Sequence, residues 1–154
     1  MAQIILDHVE EIDRKIVSLL TRNGRMSFTE LARQAGLSVS AVHQRVRRLE
    51  QDGVIKGYVA VFDPDSVGLP LTAFVSIKPF DAAAPDDLPQ RLEHLVAIEA
   101  CYSVAGDENY ILKVRVPSPA VLEDLLQQIR TVGGVSTRTT VVLSTPYENR
   151  PPDL

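Results

Sequence analysis

Apolar residues recur every three or four positions through the first third of the chain, which places them on one face of an α-helix. The pattern predicts a first helix that starts near Asp7 or His8 and ends near Asn23. Its apolar stripe consists of Val9, Ile12, Ile16, Leu19 and Leu20. Other helices must cover this stripe, so the pattern predicts a three-helix unit of about 50 residues.

A second, shorter helix is predicted directly after this one. Ser27 and Glu30 fit the capping box S-x-x-E, which predicts a helix start at Phe28. Gly36 ends the helix, because glycine adopts the left-handed conformation after a helix without steric cost. The apolar stripe consists of Phe28, Leu31, Ala32 and Ala35.

A third helix follows after a tight turn, with Ser38 as its cap and Gly53 at its end. Three apolar residues at helical spacing face inward: Val42, Val46 and Leu49. The opposite side is polar and carries Ser40, His43, Gln44, Arg47 and Gln51, flanked by Arg45 and Arg48. One side of this helix therefore packs on the first two helices, and the other faces solvent.

A short turn followed by a polar, arginine-rich helix is typical of the helix-turn-helix motif. Amide, hydroxyl, imidazole and guanidinium groups pair with base edges in the major groove, and arginines also neutralise phosphates. The candidate base-reading residues are Ser38, Ser40, His43, Gln44 and Arg47, with Arg45 and Arg48 as phosphate contacts. The alternative interpretation is a solvated helix in an ordinary helical hairpin.

The composition changes from helical to β-rich after the third helix. Residues 54–62 are rich in β-branched and aromatic side chains, which predicts a strand leaving the helical unit. Turn sequences at 63–65 and 68–70 follow it. The predicted domains are a helix-turn-helix domain at 1–57, a β-strand linker at 58–71 and a third region at 72–154.

The third region divides into two similar halves, each with the order strand, helix, strand. The first half has elements at 72–78, 85–95 and 98–104, and the second at 110–116, 119–130 and 135–143. This βαββαβ order predicts a ferredoxin-like domain, in which helices cover one face of a four-stranded antiparallel sheet. The other face carries mixed residues and suits pairing with another copy. The fold class is therefore α+β.

Composition and charge narrow the possible functions. The chain has 154 residues, of which 45% are hydrophobic and 23% charged, as in soluble globular proteins. We expect a cytoplasmic protein, because no apolar run reaches membrane-spanning length, no signal peptide is apparent, and the single cysteine, Cys101, excludes an internal disulfide.

The charge is distributed unevenly between the two parts of the chain. Residues 1–57 hold nine Lys and Arg against seven Asp and Glu, a net charge of +2, whereas residues 58–154 hold seven against thirteen, a net charge of −6. A weakly basic module joined to an acidic remainder suits a DNA-binding unit with a separate second domain. Several copies acting together would raise its affinity.

These features together resemble the Lrp/AsnC family of bacterial and archaeal transcription regulators. The strongest match comprises residues 37–40, Val42, Arg45, Val46, residues 48–50, residues 53–55, Gly57 and Tyr58. The second comprises the βαββαβ domain with the loop Gly106-Asp107-Glu108-Asn109-Tyr110 between its central strands. The resemblance covers nearly the whole chain.

The resemblance implies properties that spacing does not give. Family members form homodimers through their C-terminal sheets and often assemble further into tetramers or octamers. They bind an amino acid in clefts between dimers, and this changes their assembly or DNA binding. Carried over to this chain, the cleft residues are Gly106, Asp107, Asn109, Ser136, Thr137 and Thr139. The family implies no cofactor.

The loop at 106–109 departs from the family pattern at two positions. An acidic residue usually stands where Asn109 stands, and an aromatic or apolar residue often stands where Glu108 stands. Asn109 can hydrogen-bond an α-amino group but lacks the charge that strengthens such a bond. The identity of the ligand therefore stays open. The plain alternative is that Gly106 and Asn109 form a hairpin turn.

Other kinds of site have little support in the sequence. Asp107 and Glu108 adjoin each other on a turn with no histidine nearby in sequence, which does not suit an acid–base pair. The three histidines fall on separate elements, and no metal-ligand spacing is present. The sequence predicts a sequence-specific transcriptional regulator, not an enzyme, that responds to a small molecule. The alternative is a nucleoid-organising protein of low sequence specificity.

Overall fold

The computed structural model describes residues 9–81, 83 and 85–154. The helices are α1 (Glu11–Arg22), α2 (Phe28–Ala35), α3 (Val39–Gln51), α4 (Leu88–Leu92) and α5 (Pro119–Gly133), with a short 3₁₀ helix at Asp65–Val67. The strands are β1 (Leu71–Pro79), β2 (Ile98–Ser103), β3 (Tyr110–Val116) and β4 (Val135–Val141). The chain divides into two compact units, and Tyr147–Leu154 groups with the first unit while Phe62–Pro146 forms the second.

The first unit is the predicted bundle of three helices. Its core is formed by Ile16, Leu31, Ala32, Ala35, Val42, Val46 and Leu49, all buried. Both predicted serine caps are confirmed: the hydroxyl of Ser27 accepts the backbone N–H of Glu30, and that of Ser38 accepts the N–H of Ala41, each at 3.2 Å. Gly36 ends α2 in the left-handed conformation at φ 74°. Helix α1 begins at Glu11 with Glu10 as its N-cap, a few residues later than the predicted start near residues 7–8, which themselves lie outside the described residues.

The capping box at the start of α2 is only half formed. The carboxylate of Glu30 accepts hydrogen bonds from the guanidinium of Arg33, at 2.9 and 2.6 Å, and from the amide of Gln34 at 2.6 Å. These bonds stabilise the charged carboxylate and lower the pKa of Glu30 to about 2. The side chain therefore stabilises the first turns of the helix by pairing along its surface.

Within the single chain, the segment at 54–62 that was predicted as a strand has no regular structure. A strand is stabilised by hydrogen bonds to a neighbouring strand, and no strand in the described residues pairs with this segment. The segment is instead held by local contacts. The N–H of Ile55 donates to the carbonyl of Leu49 at 3.0 Å, and the hydroxyl of Tyr58 donates to Glu50 at 3.0 Å. Burial and this hydrogen bond raise the pKa of Tyr58 to about 12.

The second unit is the predicted ferredoxin-like domain. Its four strands form an antiparallel sheet in the order β2-β3-β1-β4, with helices between the strands of each half. Val75 on β1 stands opposite Leu112 on β3 and Thr139 on β4. Alternate residues of β3 are buried, as the sequence pattern predicts: Tyr110, Leu112, Val114 and Val116.

The first helix of this unit is shorter than the predicted helix at 85–95. It spans Leu88–Leu92 and carries Pro89 in its first turn. Proline lacks an amide hydrogen and disfavours helical backbone at the preceding residue, so the helix cannot extend far before it. The predicted apolar face is nevertheless correct, since Leu88, Leu92 and Leu95 are all buried.

The remaining bounds differ slightly from the prediction. Helix α5 continues to Gly133 rather than ending at residue 130, and Gly134 then ends it at φ 62°. Strand β4 ends at Val141. A bulge interrupts β2 between Ile98 and Ala100, the two residues on either side of Glu99. The described residues contain no helix that is long and apolar enough to cross a membrane.

Candidate DNA interface and effector site

The polar face of α3 is exposed, as the sequence pattern predicts. Ser40, His43, Gln44 and Arg47 all lie on this solvent-facing side. Among the described residues, the side chains of Gln44 and Arg47 have no hydrogen-bonding or ion-pair partner. The ring of His43 lies edge-on to that of Phe28, with 5.0 Å between ring centroids. The buried face of the helix thus fixes the backbone, while the side chains opposite it remain available to a ligand.

Ser38 and Ser40 lie at the amino end of this helix. The hydroxyl of Ser38 caps the helix and lies 3.2 Å from that of Ser40. The amino end of a helix presents unpaired backbone N–H groups and partial positive charge, which favour a phosphate there. The position of the two serines therefore suits a contact with the DNA backbone as well as with a base.

Arg45 and Arg48 flank this exposed surface and pair with the carboxylates of Asp13 and Glu10. Nη1 of Arg45 donates to Oδ1 of Asp13 at 2.9 Å, and Nη2 of Arg48 donates to Oδ2 of Asp13 at 2.6 Å. Glu10 completes the group, with its carboxylate 2.9 Å from Arg45 and 3.9 Å from Arg48. We call these four residues the charge cluster. In this chain the two arginines join α3 to α1, and their role as phosphate contacts remains a prediction.

Asp13 is the central residue of the charge cluster, and sequence reasoning missed it. Its side chain is 1% exposed, whereas that of Glu10 is 57% exposed. The hydrogen bonds that Arg45 donates to Asp13 and Glu10 raise the pKa of its guanidinium above the ordinary value. The sequence carries a signal for this contact: Asp13 lies four residues after Val9 and three before Ile16, so a carboxylate interrupts the apolar stripe.

The loop predicted to bind an effector connects β2 to β3. The N–H of Val104 donates to the carbonyl of Asn109 at 3.0 Å, and the N–H of Asn109 donates to the carbonyl of Ile77 at 3.1 Å. The loop is therefore tied both to itself and to the central strand. Gly106, Asp107 and Asn109 are all exposed on it.

Five of the six predicted effector residues line one of two grooves beside this loop, and Thr139 lines neither. A groove of about 440 Å³ is lined by Gly106 and Asn109, among others. A second groove, of about 310 Å³, is lined by Asp107, Ser136 and Thr137 with their neighbours. Lys78 and Glu108 line both grooves.

The predicted residues of β4 do not all share one face of the sheet. Ser136 stands opposite Lys78, and its hydroxyl donates to the Lys78 carbonyl at 3.3 Å. Thr137 stands opposite the buried Ile77, and its hydroxyl accepts a hydrogen bond from Arg130 of α5 at 3.2 Å. Successive side chains of a strand point to opposite faces, so Thr139 lies with Thr137 on the helix-covered face. Ser136 and Thr137 nevertheless line the same smaller groove, whereas Thr139 does not line it.

Two further hydrogen-bonded pairs of side chains line these grooves. The guanidinium of Arg138 donates to the carboxylate of Glu108, which links β4 to the loop. The hydroxyl of Tyr110 donates to the carboxylate of Asp86, and this bond with burial raises the pKa of Tyr110 to about 12. The described residues contain no group of three or more His, Cys, Asp or Glu placed to hold a metal ion.

Comparison with protein families identifies both parts of the chain. A family model described as winged helix-turn-helix DNA-binding matches residues 9–56. A second, described as the Lrp/AsnC ligand binding domain, matches residues 72–152. The chain is thus a DNA-binding transcriptional regulator with a ligand-binding domain, and not an enzyme.

Individual relatives give the same result. The HTH-type transcriptional regulator LrpA of Mycobacterium tuberculosis is 55% identical over 142 residues, which cover 92% of this chain and 95% of the relative. The leucine-responsive regulatory protein of Escherichia coli K12 is 39% identical over 140 residues, covering 88% and 85%. The chain belongs to the Lrp/AsnC family.

A solved structure shows the same fold in a close relative. It is the feast or famine regulatory protein of M. tuberculosis complexed with L-methionine, at 54% identity and a TM-score of 0.91. The match covers 94% of this chain and 99% of that chain. The two-part architecture described above is therefore that of the family.

Proposed function

We propose that the chain regulates transcription as a homodimer whose α3 helices enter the major groove and read base edges. The observation that carries this proposal is the exposed, polar face of a helix whose opposite face is locked into the core. Gln44 offers an amide that matches an adenine edge, and Arg47 a guanidinium that matches a guanine edge. Ser38, Ser40 and His43 complete the proposed reading surface, and the protein works in the cytoplasm, where it meets the DNA.

Dimer formation is proposed through the face of the sheet that the helices leave uncovered. Phe74 on β1 and Tyr102 on β2 are 38% and 52% exposed. Glu99 lies beside them and pairs with Lys113 at 3.3 Å and with Arg115 at 2.6 Å. Burial opposes the charge on Glu99, but these bonds outweigh it and lower the pKa of the carboxyl. A mixed apolar and charged face suits a self-complementary contact, and dimers could assemble further into tetramers or octamers.

The effector is proposed to be an amino acid that binds beside the loop at 106–109. The relative complexed with L-methionine supports this ligand class. Recognition requires a cation for the ligand's carboxylate and acceptors for its ammonium group. Lys78, which lines both grooves, supplies the cation; the carboxylate of Asp107 and the amide oxygen of Asn109 are acceptors. Ser136, Thr137 and Thr139 complete the site if a neighbouring dimer supplies one of its walls.

DNA reading is tested by fluorescence anisotropy at physiological salt. The protein is titrated against duplex DNA from upstream of its own gene and against a shuffled duplex. Arg47→Ala should weaken binding to the upstream duplex by about 1–3 kcal/mol while affecting the shuffled duplex less. Lys15→Ala removes an exposed cation from α1 and serves as the control. Equal binding of both duplexes by the wild-type protein would favour the nucleoid-organising alternative.

Effector binding is tested by isothermal titration calorimetry with L-methionine and with the other amino acids in turn. Lys78→Met should abolish the binding heat, whereas Lys56→Met, an exposed lysine of the first unit, should preserve it. Absence of saturable heat with every amino acid would refute the effector proposal. Full binding by Lys78→Met would refute the proposed site.

A further inference from the structure

The two carboxylates of the charge cluster differ in what they do for the fold. Asp13 is buried and hydrogen-bonds both arginines, so it holds α3 against α1. Glu10 is more than half exposed, and its position as N-cap of α1 includes no side-chain capping bond. The described contacts of its carboxylate are with Arg45 and Arg48. Glu10 therefore adds little to the core but lies directly against two cations of the DNA-binding helix.

The charges of the cluster balance only when Glu10 is included. Two guanidinium groups face two carboxylates, so the cluster is neutral. Without Glu10, the single charge of Asp13 would leave one positive charge uncompensated. The side chain of Arg48 is 48% exposed and lies one helical turn after Gln44, so this charge would be accessible beside the proposed reading surface.

We propose that Glu10 limits sequence-independent DNA binding by neutralising Arg45 and Arg48. Attraction to phosphates supplies most non-specific affinity, and each phosphate neutralised makes log K fall by about 0.9 per unit of log salt concentration. A genome offers a vast excess of non-specific sites, so weak phosphate attraction keeps a regulator free to reach its operators. Glu10 occupies the arginines that would otherwise bind phosphate. This inference rests on the proposed use of α3 in DNA binding.

The test compares Glu10→Gln with Glu11→Gln on the shuffled duplex. Both variants lose one negative charge at neighbouring exposed positions of α1, but Glu11 has no described contact with either arginine. Anisotropy titrations at 50, 100 and 200 mM salt give the salt dependence of binding. Glu10→Gln should steepen the slope of log K against log salt concentration by about 0.9 for each α3 helix bound. This corresponds to about threefold more loss of affinity between 50 and 200 mM salt. At each salt concentration it should also bind more tightly than Glu11→Gln does.

A second comparison tests the mechanism. In an Arg48→Gln background, the substitution Glu10→Gln should steepen the slope by clearly less, because the exposed arginine that it frees has been removed. Equal slopes for Glu10→Gln and Glu11→Gln would overturn the inference, as would an undiminished effect of Glu10→Gln without Arg48. Circular dichroism melts confirm that each variant is folded. Arg47→Ala on the upstream duplex tests the proposed reading surface separately, so failure of one proposal can be told from failure of the other.

Discussion

Removal of the Asp13 carboxylate should destabilise the helix-turn-helix unit strongly. The side chain is fully buried and joins two helices through ion pairs of 2.9 and 2.6 Å. Loss of one partner from a buried ion pair usually costs about 3–5 kcal/mol, because the remaining charge is left uncompensated. Here Arg45 and Arg48 are 26% and 48% exposed and can turn partly to water. We therefore expect Asp13→Ala to cost about 2–4 kcal/mol.

The effect is measured by hydrogen exchange with mass spectrometry, since the chain has two units and a single melting curve would mix them. Peptides from α1 and α3 should exchange faster in Asp13→Ala, while peptides from the sheet should keep wild-type rates. The exchange rates of Asp13→Asn should lie between those of the wild type and of Asp13→Ala, because the amide preserves the shape and one acceptor but not the charge. Glu11→Gln is the control, with an expected change within about 0.5 kcal/mol. If peptides from α1 and α3 of Asp13→Ala exchanged hydrogen as slowly as in the wild type, the structural role of the charge cluster would be refuted.

Three further changes test other parts of the structure. Gly36→Ala places a Cβ in open space but at φ 74°, so it should destabilise the first unit by about 1 kcal/mol in urea denaturation, whereas Gly106→Ala should be nearly neutral. The carboxyl of Glu30 should titrate by NMR near pH 2, and Arg33→Ala should move this midpoint upward towards 4.5; an unmoved midpoint would contradict the pairing. The charged carboxylate of Glu30 contributes to stability above its unfolded pKa, and this contribution is lost as the pH falls towards 2. Phe74→Arg should shift the protein from dimer to monomer in sedimentation, and an unchanged mass would exclude this face as the interface.

The helices of the first unit could be predicted because local chemistry determines them. Ser27, Gly36 and Ser38 fix the helix ends through their own backbone geometry and side-chain hydrogen bonds. Periodicity then identifies the faces that become buried. Both signals depend on residues close together in the chain, so the sequence displays them directly.

The features that sequence reasoning missed depend on partners that are distant in the chain. Residues 54–62 have high β propensity, but no strand in the described part of the chain pairs with them, and propensity cannot supply a partner. The contact of Asp13 with Arg45 joins residues 32 positions apart. It becomes predictable only once α1 and α3 are known to pack together.

The candidate effector site could be predicted from the sequence only in part, for a different reason. Family resemblance groups Ser136 with Thr137, but the two-residue period of a strand places their side chains on opposite faces. Both residues nevertheless line the groove of about 310 Å³ beside the loop. The geometry of a site shared between copies of the chain depends on assembly, which a single sequence does not encode locally.

The most direct test of the central claim is selection of binding sites from a random duplex library. The wild-type protein is incubated with the library at physiological salt, and the bound duplexes are sequenced after several rounds. We expect enrichment of inverted half-sites spaced by about one helical turn, or a multiple of it, and loss of that enrichment in Arg47→Ala. A library that stays unenriched after selection would contradict sequence-specific reading by α3.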